Sequence, residues 1–181
     1  CSSDLDSQNP KRKLRRSLEL VETSTALVGV HTGRTNDLVD EALAEGRLSM
    51  FTRAKTWRRE VTVGSSRIDF VLGPAASPTW VEVKQVTLRL GDALAFPDAV
   101  TARGLRHLEV LASRVEAGER AAVLFVATRS DGDAFEPAAS IDPAYAAQLA
   151  KVAAMGVGVW AVRCDVAPEG ICTASPLRVR L

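Results

Sequence analysis

Apolar residues recur in blocks along the chain, and the spacing within each block predicts a helix or a strand. Short runs typical of strands cover residues 18–21, 26–30, 57–63, 67–72, 80–86, 122–128 and 157–162. Apolar residues three or four apart, as on one face of a helix, cover residues 37–45, 99–117 and 143–156. The segments 91–97 and 129–140 contain Gly, Pro and Asp and are predicted to be loops.

Each predicted helix follows a residue suited to cap an N-terminus. These residues are Asn36, Asp98 and Asp142, and Pro143 then favours the first turn of the third helix. In the second helix, Val100 is expected to face the core.

The order of these elements predicts a mixed sheet flanked by helices, an α/β (α+β mixed) fold. A short, turn-rich linker joins runs 67–72 and 80–86, so they should form an antiparallel hairpin. A helix separates runs 122–128 and 157–162, which requires a right-handed crossover between parallel strands.

Composition narrows the class of protein only slightly. The chain has 181 residues, 46% hydrophobic and 25% charged, which is a globular balance with room for one sizeable core. A net charge of +1 argues neither for nor against nucleic acid. No apolar run approaches the roughly 20 residues of a membrane span. The three cysteines are sparse and lack zinc spacing, which indicates a reducing, cytoplasmic setting.

Asp69, Glu82 and Lys84 carry the most informative chemistry. Glu82 and Lys84 are two residues apart in one strand, so they point to the same face, and Asp69 lies on the strand before it. Two carboxylates suit Mg²⁺, and a lysine beside them could stabilise charge on a phosphate undergoing cleavage. An exposed ion-pair face explains the same three residues. The apolar residues around them favour a site, because charges within such strands are costly unless paired or bound to metal.

Two basic segments are candidates for contact with nucleic acid. Lys11, Arg12 and Lys13 begin a dense basic cluster that could neutralise phosphates, although a solvated strand or tail explains it equally well. Trp57 precedes two arginines and could stack on a base, or it could belong to the core.

Several segments together resemble the sugar fermentation stimulation protein family of bacteria and archaea. The similar segments cover almost the whole chain: 9–13, 66–70, 81–88, 96–104, 129–131, 135–138 and 141–145. The resemblance implies an oligonucleotide-binding (OB-fold) barrel followed by a domain like the PD-(D/E)xK nucleases. It also implies DNA binding without sequence preference and a role in regulating maltose metabolism.

The domain division implied by this resemblance is residues 1–32 as the back end of an incomplete OB-fold-like β domain and 33–181 as the nuclease-like domain. The family's first barrel strands and the segment that follows them have no counterpart here. The chain also begins with Cys1 rather than Met, so a piece of a longer protein is one interpretation. Otherwise residues 1–32 pack on the nuclease-like domain in another way.

The resemblance also assigns roles. Asp69 and Glu82 become the carboxylates that hold Mg or Mn, Lys84 the catalytic lysine, and the Val83 carbonyl a further ligand by analogy with that nuclease class. DNA is the implied partner, and a homodimer is open. A non-enzymatic DNA-binding regulator of sugar metabolism is the alternative.

Four further residues have weaker assignments. Glu41 matches the acidic residue that such folds often place on their first helix, although an exposed helix face is the favoured explanation. Arg103 and His107 are four apart on one helix and could contact the scissile phosphate. His107 is explained equally well as a partly buried structural histidine. Asp98, mainly a helix cap, could also reach the site.

Overall fold

The computed structural model describes residues 2–6 and 16–181. The helices are α1 (Thr35–Ala44), α2 (Ala102–Glu116) and α3 (Pro143–Ala154). The strands are β1 (Ser2–Asp6), β2 (Arg16–Glu22), β3 (Leu27–Gly29), β4 (Trp57–Val63), β5 (Ser66–Leu72), β6 (Thr79–Val86), β7 (Leu88–Leu90), β8 (Ala93–Phe96), β9 (Arg120–Ala127), β10 (Ala134–Pro137), β11 (Gly158–Ala167), β12 (Gly170–Pro176) and β13 (Arg178–Val179). No helix in this part of the chain is long and apolar enough to cross a membrane.

A six-stranded mixed sheet forms the centre of the molecule, in the order β12-β11-β9-β6-β5-β4. The three middle strands β11, β9 and β6 are parallel, whereas β5 is antiparallel to β6. The predicted hairpin and the predicted parallel crossover pair are therefore confirmed. Helices α2 and α3 pack on one face of the sheet and α1 packs on the other. The predicted mixed sheet flanked by helices is correct.

A second, four-stranded sheet was not predicted. Its order is β13-β10-β8-β7, and β8 and β10 lie inside the segments predicted to be loops. These strands are only four residues long and pair in parallel with each other across about forty residues of sequence. Strand β8 also pairs with β7 across a two-residue turn, whereas both partners of β10 are distant in sequence. Their local composition resembles a loop, so pairing determines their strand conformation.

The starts of the helices correct two predicted caps. Helix α2 is capped by Thr101, whose Oγ1 accepts a hydrogen bond from Gly104 N at 3.0 Å, and not by Asp98. Val100 consequently precedes the helix and is 76% exposed. The N-cap position of α1 is Arg34, so Asn36 lies within the helix. The prediction for α3 is confirmed, because Asp142 Oδ1 accepts from Tyr145 N at 2.9 Å.

The first three strands form a separate antiparallel sheet in the order β1-β2-β3. Strand β3 attaches this sheet to the end of β9, where Gly29 N donates to Thr128 O at 2.8 Å. A side chain at Gly29 would collide with Ile171, since a Cβ there would lie 2.6 Å from its Cδ1. Gln85 Nε2 in turn donates to Gly29 O at 2.8 Å. The outer edge of β3 is thus held against the strands that carry the candidate site.

Candidate functional site

The candidate site lies where β5 and β6 separate. Their ladder pairs residues 70–72 with residues 79–81 and then ends, so Asp69 and Glu82 directly follow the last pair. Beyond it, Val83 N donates to the side chain of Asp69, to Oδ2 at 2.8 Å. The N–H and C=O of one residue in a strand point to the same side. The Val83 carbonyl therefore faces the gap between the strands.

Glu82 is a buried carboxylate with one satisfied and one unsatisfied oxygen. Its side chain is on the same face as Lys84, as predicted, and its Oε1 accepts from Lys84 Nζ at 2.6 Å. His107 Nδ1 contacts the same oxygen. The other oxygen, Oε2, is buried and has no hydrogen-bond partner among the described residues. An unpaired buried carboxylate oxygen is unfavourable without a ligand or ion.

Asp69 is oriented by two donors. Its Oδ2 receives the Val83 amide, and its Oδ1 accepts from Asn36 Nδ2 at 2.9 Å. Asn36 therefore serves Asp69 and does not cap α1. Sequence reasoning missed this role, because only the packing of α1 against β5 brings the two side chains together.

The two carboxylates differ in how readily they ionise. Burial raises the pKa of Asp69, and the nearby charge of Glu82 raises it further, against the opposing effect of the Val83 and Asn36 hydrogen bonds. Burial alone would also raise the pKa of Glu82, but hydrogen bonds from His107 and Lys84 outweigh it and hold that pKa below its usual value. The site thus contains one stabilised anion and one anion that is costly without further positive charge.

Helix α2 brings Arg103 and His107 to this site. His107 is buried, and its Nε2 lies 3.5 Å from Arg103 Nε. Its other ring nitrogen lies 3.4 Å from Lys84 Nζ as well as touching Glu82. The two residues share a face as predicted. His107 nevertheless contacts the carboxylate and lysine, and only Arg103 lines the open cleft.

A cleft of about 540 Å³ opens beside these side chains. Its charged lining residues are Asp69, Glu82, Lys84, Asp98 and Arg103. Asp98 is therefore beside the site, although it does not cap α2. The cleft is open on one side to solvent and would admit an extended polar ligand.

Glu41 does not belong to this group, which agrees with the exposed helix face favoured for it from the sequence. It lies on the exposed side of α1, does not line the cleft, and has its Oε1 3.3 Å from Arg47 Nη2. Trp57 is similarly engaged within the protein, since its Nε1 donates to Asp40 Oδ1 at 2.6 Å. Lys11, Arg12 and Lys13 lie outside the described residues.

The donor set fits a small hard cation. Among residues 16–181, no group of three or more His, Cys, Asp or Glu side chains could together hold a metal ion. The available ligands are the carboxylates of Asp69 and Glu82 and the carbonyl of Val83. Mg²⁺ commonly takes one or two carboxylates and completes its coordination shell with water. The unpartnered Glu82 Oε2 is the atom in this set with the clearest need for a cation.

Comparison with known proteins identifies relatives that match most of this chain. The family model described as the sugar fermentation stimulation protein RE domain matches residues 33–170. The chain is 48% identical to the sugar fermentation stimulation protein homolog of Magnetococcus marinus, over 97% of this chain and 76% of that protein. It is 47% identical to the homolog of Maricaulis maris over the same shares.

A solved structure, described as Pyrococcus furiosus SfsA in complex with Ca²⁺, has the same fold with a TM-score of 0.91. It is 24% identical, and the match covers 99% of this chain and 78% of that one. The structural match shows the fold, and the sequence matches in addition establish the family. The chain belongs to the sugar fermentation stimulation protein family.

Proposed function

We propose that this protein is a divalent-cation-dependent nuclease that binds DNA without sequence preference. The observation that carries this proposal is the buried Glu82 Oε2, which lacks a partner among the described residues and belongs to a residue that lines an open cleft together with Asp69 and Lys84. A purely structural ion-pair cluster gains nothing from an unsatisfied carboxylate at a cleft wall.

The residues that would hold the cation are Asp69, Glu82 and the carbonyl of Val83. Mg or Mn is the proposed ion, and the Ca²⁺ described in the Pyrococcus furiosus relative supports a hard divalent cation in this family. When bound, the ion would neutralise charge on a phosphate and lower the pKa of a water molecule.

The protein's own residues would position the reacting groups. Asn36 and the Val83 amide hold the Asp69 carboxylate in place, while His107 fixes Glu82 from behind. The Lys84 side chain is 14% exposed and lines the cleft, so it is largely shielded from water yet within reach of a ligand there. There it would donate to a phosphate oxygen or orient the attacking water, and its charge counts for more in a partly desolvated site.

DNA is the proposed substrate because the free cationic groups near the cleft can bind phosphates without reading bases. Arg103 lines the cleft and offers a planar pair of donors to a phosphate. Arg106, which does not line the cleft, is exposed three residues after Arg103 on the same helix and has no carboxylate partner among residues 16–181. Contacts of this kind give affinity that falls steeply with salt.

A cleavage assay tests the proposal. Plasmid and single-stranded DNA are incubated with Mg²⁺ or Mn²⁺ and the wild-type protein, Asp69→Ala or Lys84→Ala. Lys151→Ala is the matched control, because Lys151 is an exposed lysine on α3 away from the cleft. We expect cleavage by the wild type and the control and its loss in the two site variants. Cleavage that persists equally in both site variants would contradict the proposal.

One observation favours the alternative, a non-enzymatic DNA-binding regulator of sugar metabolism. Lys84 Nζ is already engaged by Glu82 Oε1 at 2.6 Å and lies near His107, so its charge is partly used within the protein. This alternative predicts salt-sensitive DNA binding by the wild type with no cleavage under any divalent cation. The same set of variants would then bind DNA with unchanged affinity.

A further inference from the structure

A second cavity, equal to the cleft at about 540 Å³, lies at the opposite end of β6. Thr79, the first residue of β6, lines this cavity, whereas Glu82 and Lys84 line the cleft. Trp160, an aromatic residue that lines this cavity, is in register with Leu124, whose side chain belongs to the core beneath α1. Glu82 instead lies on the face covered by α2. The two concave surfaces therefore open at different ends of the sheet, and Trp160 and Glu82 lie on opposite faces of it.

Trp160 is the exposed tryptophan of the described chain, with 43% of its surface accessible. The other two indoles donate hydrogen bonds, Trp57 to Asp40 and Trp80 to Glu119. The Trp160 indole makes none to any residue between 16 and 181. It lies back over Gly158, since a Cβ at Gly158 would be 2.8 Å from Trp160 Nε1. Gly158 thus permits a flat aromatic surface at the cavity rim, available for stacking.

The charged groups around the indole favour an anion. Arg53 and Arg120 line the cavity, and neither is paired with a carboxylate in the part of the chain that the structure describes. Arg120 Nη2 donates to the Ser77 carbonyl at 3.0 Å, which leaves its charge uncompensated. The acidic lining residue, Glu119, lies 3.6 Å from Arg114 and also accepts the Trp80 N–H. Its charge is therefore balanced, and the cavity retains two positive groups.

We propose that this cavity binds a nucleotide unit, with the base stacked on Trp160 and the phosphate against Arg53 and Arg120. Base stacking on an exposed aromatic is tolerant of sequence, and guanidinium groups match phosphate geometry. The unit could be a free nucleotide or the terminal nucleotide of a single strand, because both present the same base and phosphate. This site goes beyond the proposed nuclease and does not depend on a bound cation.

Tryptophan fluorescence of the full chain tests the proposal, with 5′-AMP as the probe and EDTA present. We expect saturable quenching, and Arg53→Ala and Arg120→Ala should each weaken the apparent affinity at least about fivefold. Arg58→Ala is the matched control, an exposed arginine on β4 that does not line the cavity. Gly158→Ala should weaken binding too, because the added methyl displaces the indole. Asp69→Ala should bind AMP like the wild type, whatever its effect on DNA cleavage.

Three outcomes would overturn the proposal. The first is the absence of saturable quenching by AMP or by a 5′-phosphorylated oligothymidylate. The second is equal affinity for AMP in the Arg53, Arg120 and Arg58 variants. The third is reversal of the quenching by inorganic phosphate at concentrations equal to that of AMP. The oligothymidylate with and without its 5′-phosphate separates the two sources. Tighter binding of the phosphorylated strand than of AMP indicates a strand end, and equal binding indicates a free nucleotide.

Discussion

Two clusters of buried charge in this protein have opposite character. Beside the N-terminal sheet, Arg129 is 7% exposed and binds Asp131 through two hydrogen bonds of 2.6 and 2.8 Å. Its remaining nitrogen, Nη1, donates to the Thr87 carbonyl at 2.6 Å, and the Thr25 hydroxyl donates to Asp131. The pKa of Asp131 is held well below its usual value, chiefly by the hydrogen bonds from Arg129.

The cleft cluster is left incomplete by comparison. Glu82 Oε2 has no partner among the described residues, and burial together with the Glu82 charge raises the pKa of Asp69. A charge with a structural role has its hydrogen-bond partners within the protein, as Asp131 has in Arg129 and Thr25. A carboxylate whose charged form is disfavoured by its own protein is suited to a ligand that supplies positive charge. The contrast supports the proposal that the cleft cluster is the binding site.

The largest expected effect is on the structural cluster. Arg129→Ala should lower the free energy of unfolding by about 3–5 kcal/mol, because it removes a buried guanidinium and its three hydrogen bonds, two of them to the half-buried Asp131. Urea denaturation measures this loss, and Arg106→Ala, an exposed arginine on α2, is the control that should change it little. A loss in Arg129→Ala as small as that of the control would mean that this pair does not hold the N-terminal sheet.

Lys84→Ala should have the next largest effect, and on activity. We expect the rate of DNA cleavage to fall roughly 100- to 1,000-fold, as for removal of one donor that stabilises a transition-state charge. Single-turnover kinetics at saturating protein measures it. Glu82 keeps its contact with His107 in this variant, so denaturation should show a folded protein. A rate within threefold of the wild type would remove Lys84 from the chemistry.

Asn36→Ala should have an intermediate effect, through Asp69. The lost hydrogen bond of 2.9 Å no longer orients that carboxylate, so cation affinity should fall about 10- to 100-fold. Titration with Mn²⁺ followed by its effect on cleavage rate gives this affinity. Asn36→Asp would also remove this hydrogen bond but would add a negative charge beside Asp69. Comparing the cation affinities of the two variants therefore separates the effect of orienting Asp69 from the effect of local charge. An unchanged affinity in Asn36→Ala would show that Val83 alone positions Asp69.

The smallest expected effect is a gain in stability. Asp69→Asn should raise the free energy of unfolding at neutral pH by about 0.5–2 kcal/mol, at the cost of function. Since the folded-state pKa of Asp69 is raised, ionisation disfavours the folded state as pH rises from the ordinary value of 3.8 through the raised value. The advantage of Asp69→Asn should therefore vanish below pH 3.8.

Asp131→Asn should change the free energy of unfolding at neutral pH in the opposite direction, lowering it. The pKa of Asp131 is lowered in the folded state, so its charge contributes stability that is present above its ordinary pKa and lost as pH falls through the lowered value. Urea denaturation of both variants over a pH series compares the two clusters directly. Loss of stability in Asp69→Asn at neutral pH, equal to that in Asp131→Asn, would make Asp69 a structural residue.

The central sheet could be predicted from sequence because its strands have long apolar runs. The buried run 122–128 and the hairpin around Asp69 and Glu82 are recognisable locally, and the spacing of Glu82 and Lys84 places them on one face. Strands β8 and β10 could not be found in this way, since such four-residue segments close to Gly or Pro become strands only by pairing with each other and with β7 and β13.

The candidate site was predictable in its charged centre and not in its surroundings. Asp69, Glu82 and Lys84 converge as expected, whereas the donor from the first helix is Asn36 and Glu41 faces Arg47. Both lie on one amphipathic helix, and its sequence does not specify the rotation that brings one of them to β5. The unsatisfied oxygen of Glu82 is likewise a property of packing around β6.

Calorimetric titration of Mn²⁺ into the metal-free protein tests the central claim most directly. The wild type should bind one ion, and Asp69→Asn should lose that binding. Asp133→Asn, which removes a carboxylate that is 98% exposed, should bind like the wild type. Equal binding by all three proteins would contradict the assignment of Asp69 and Glu82 as a cation site.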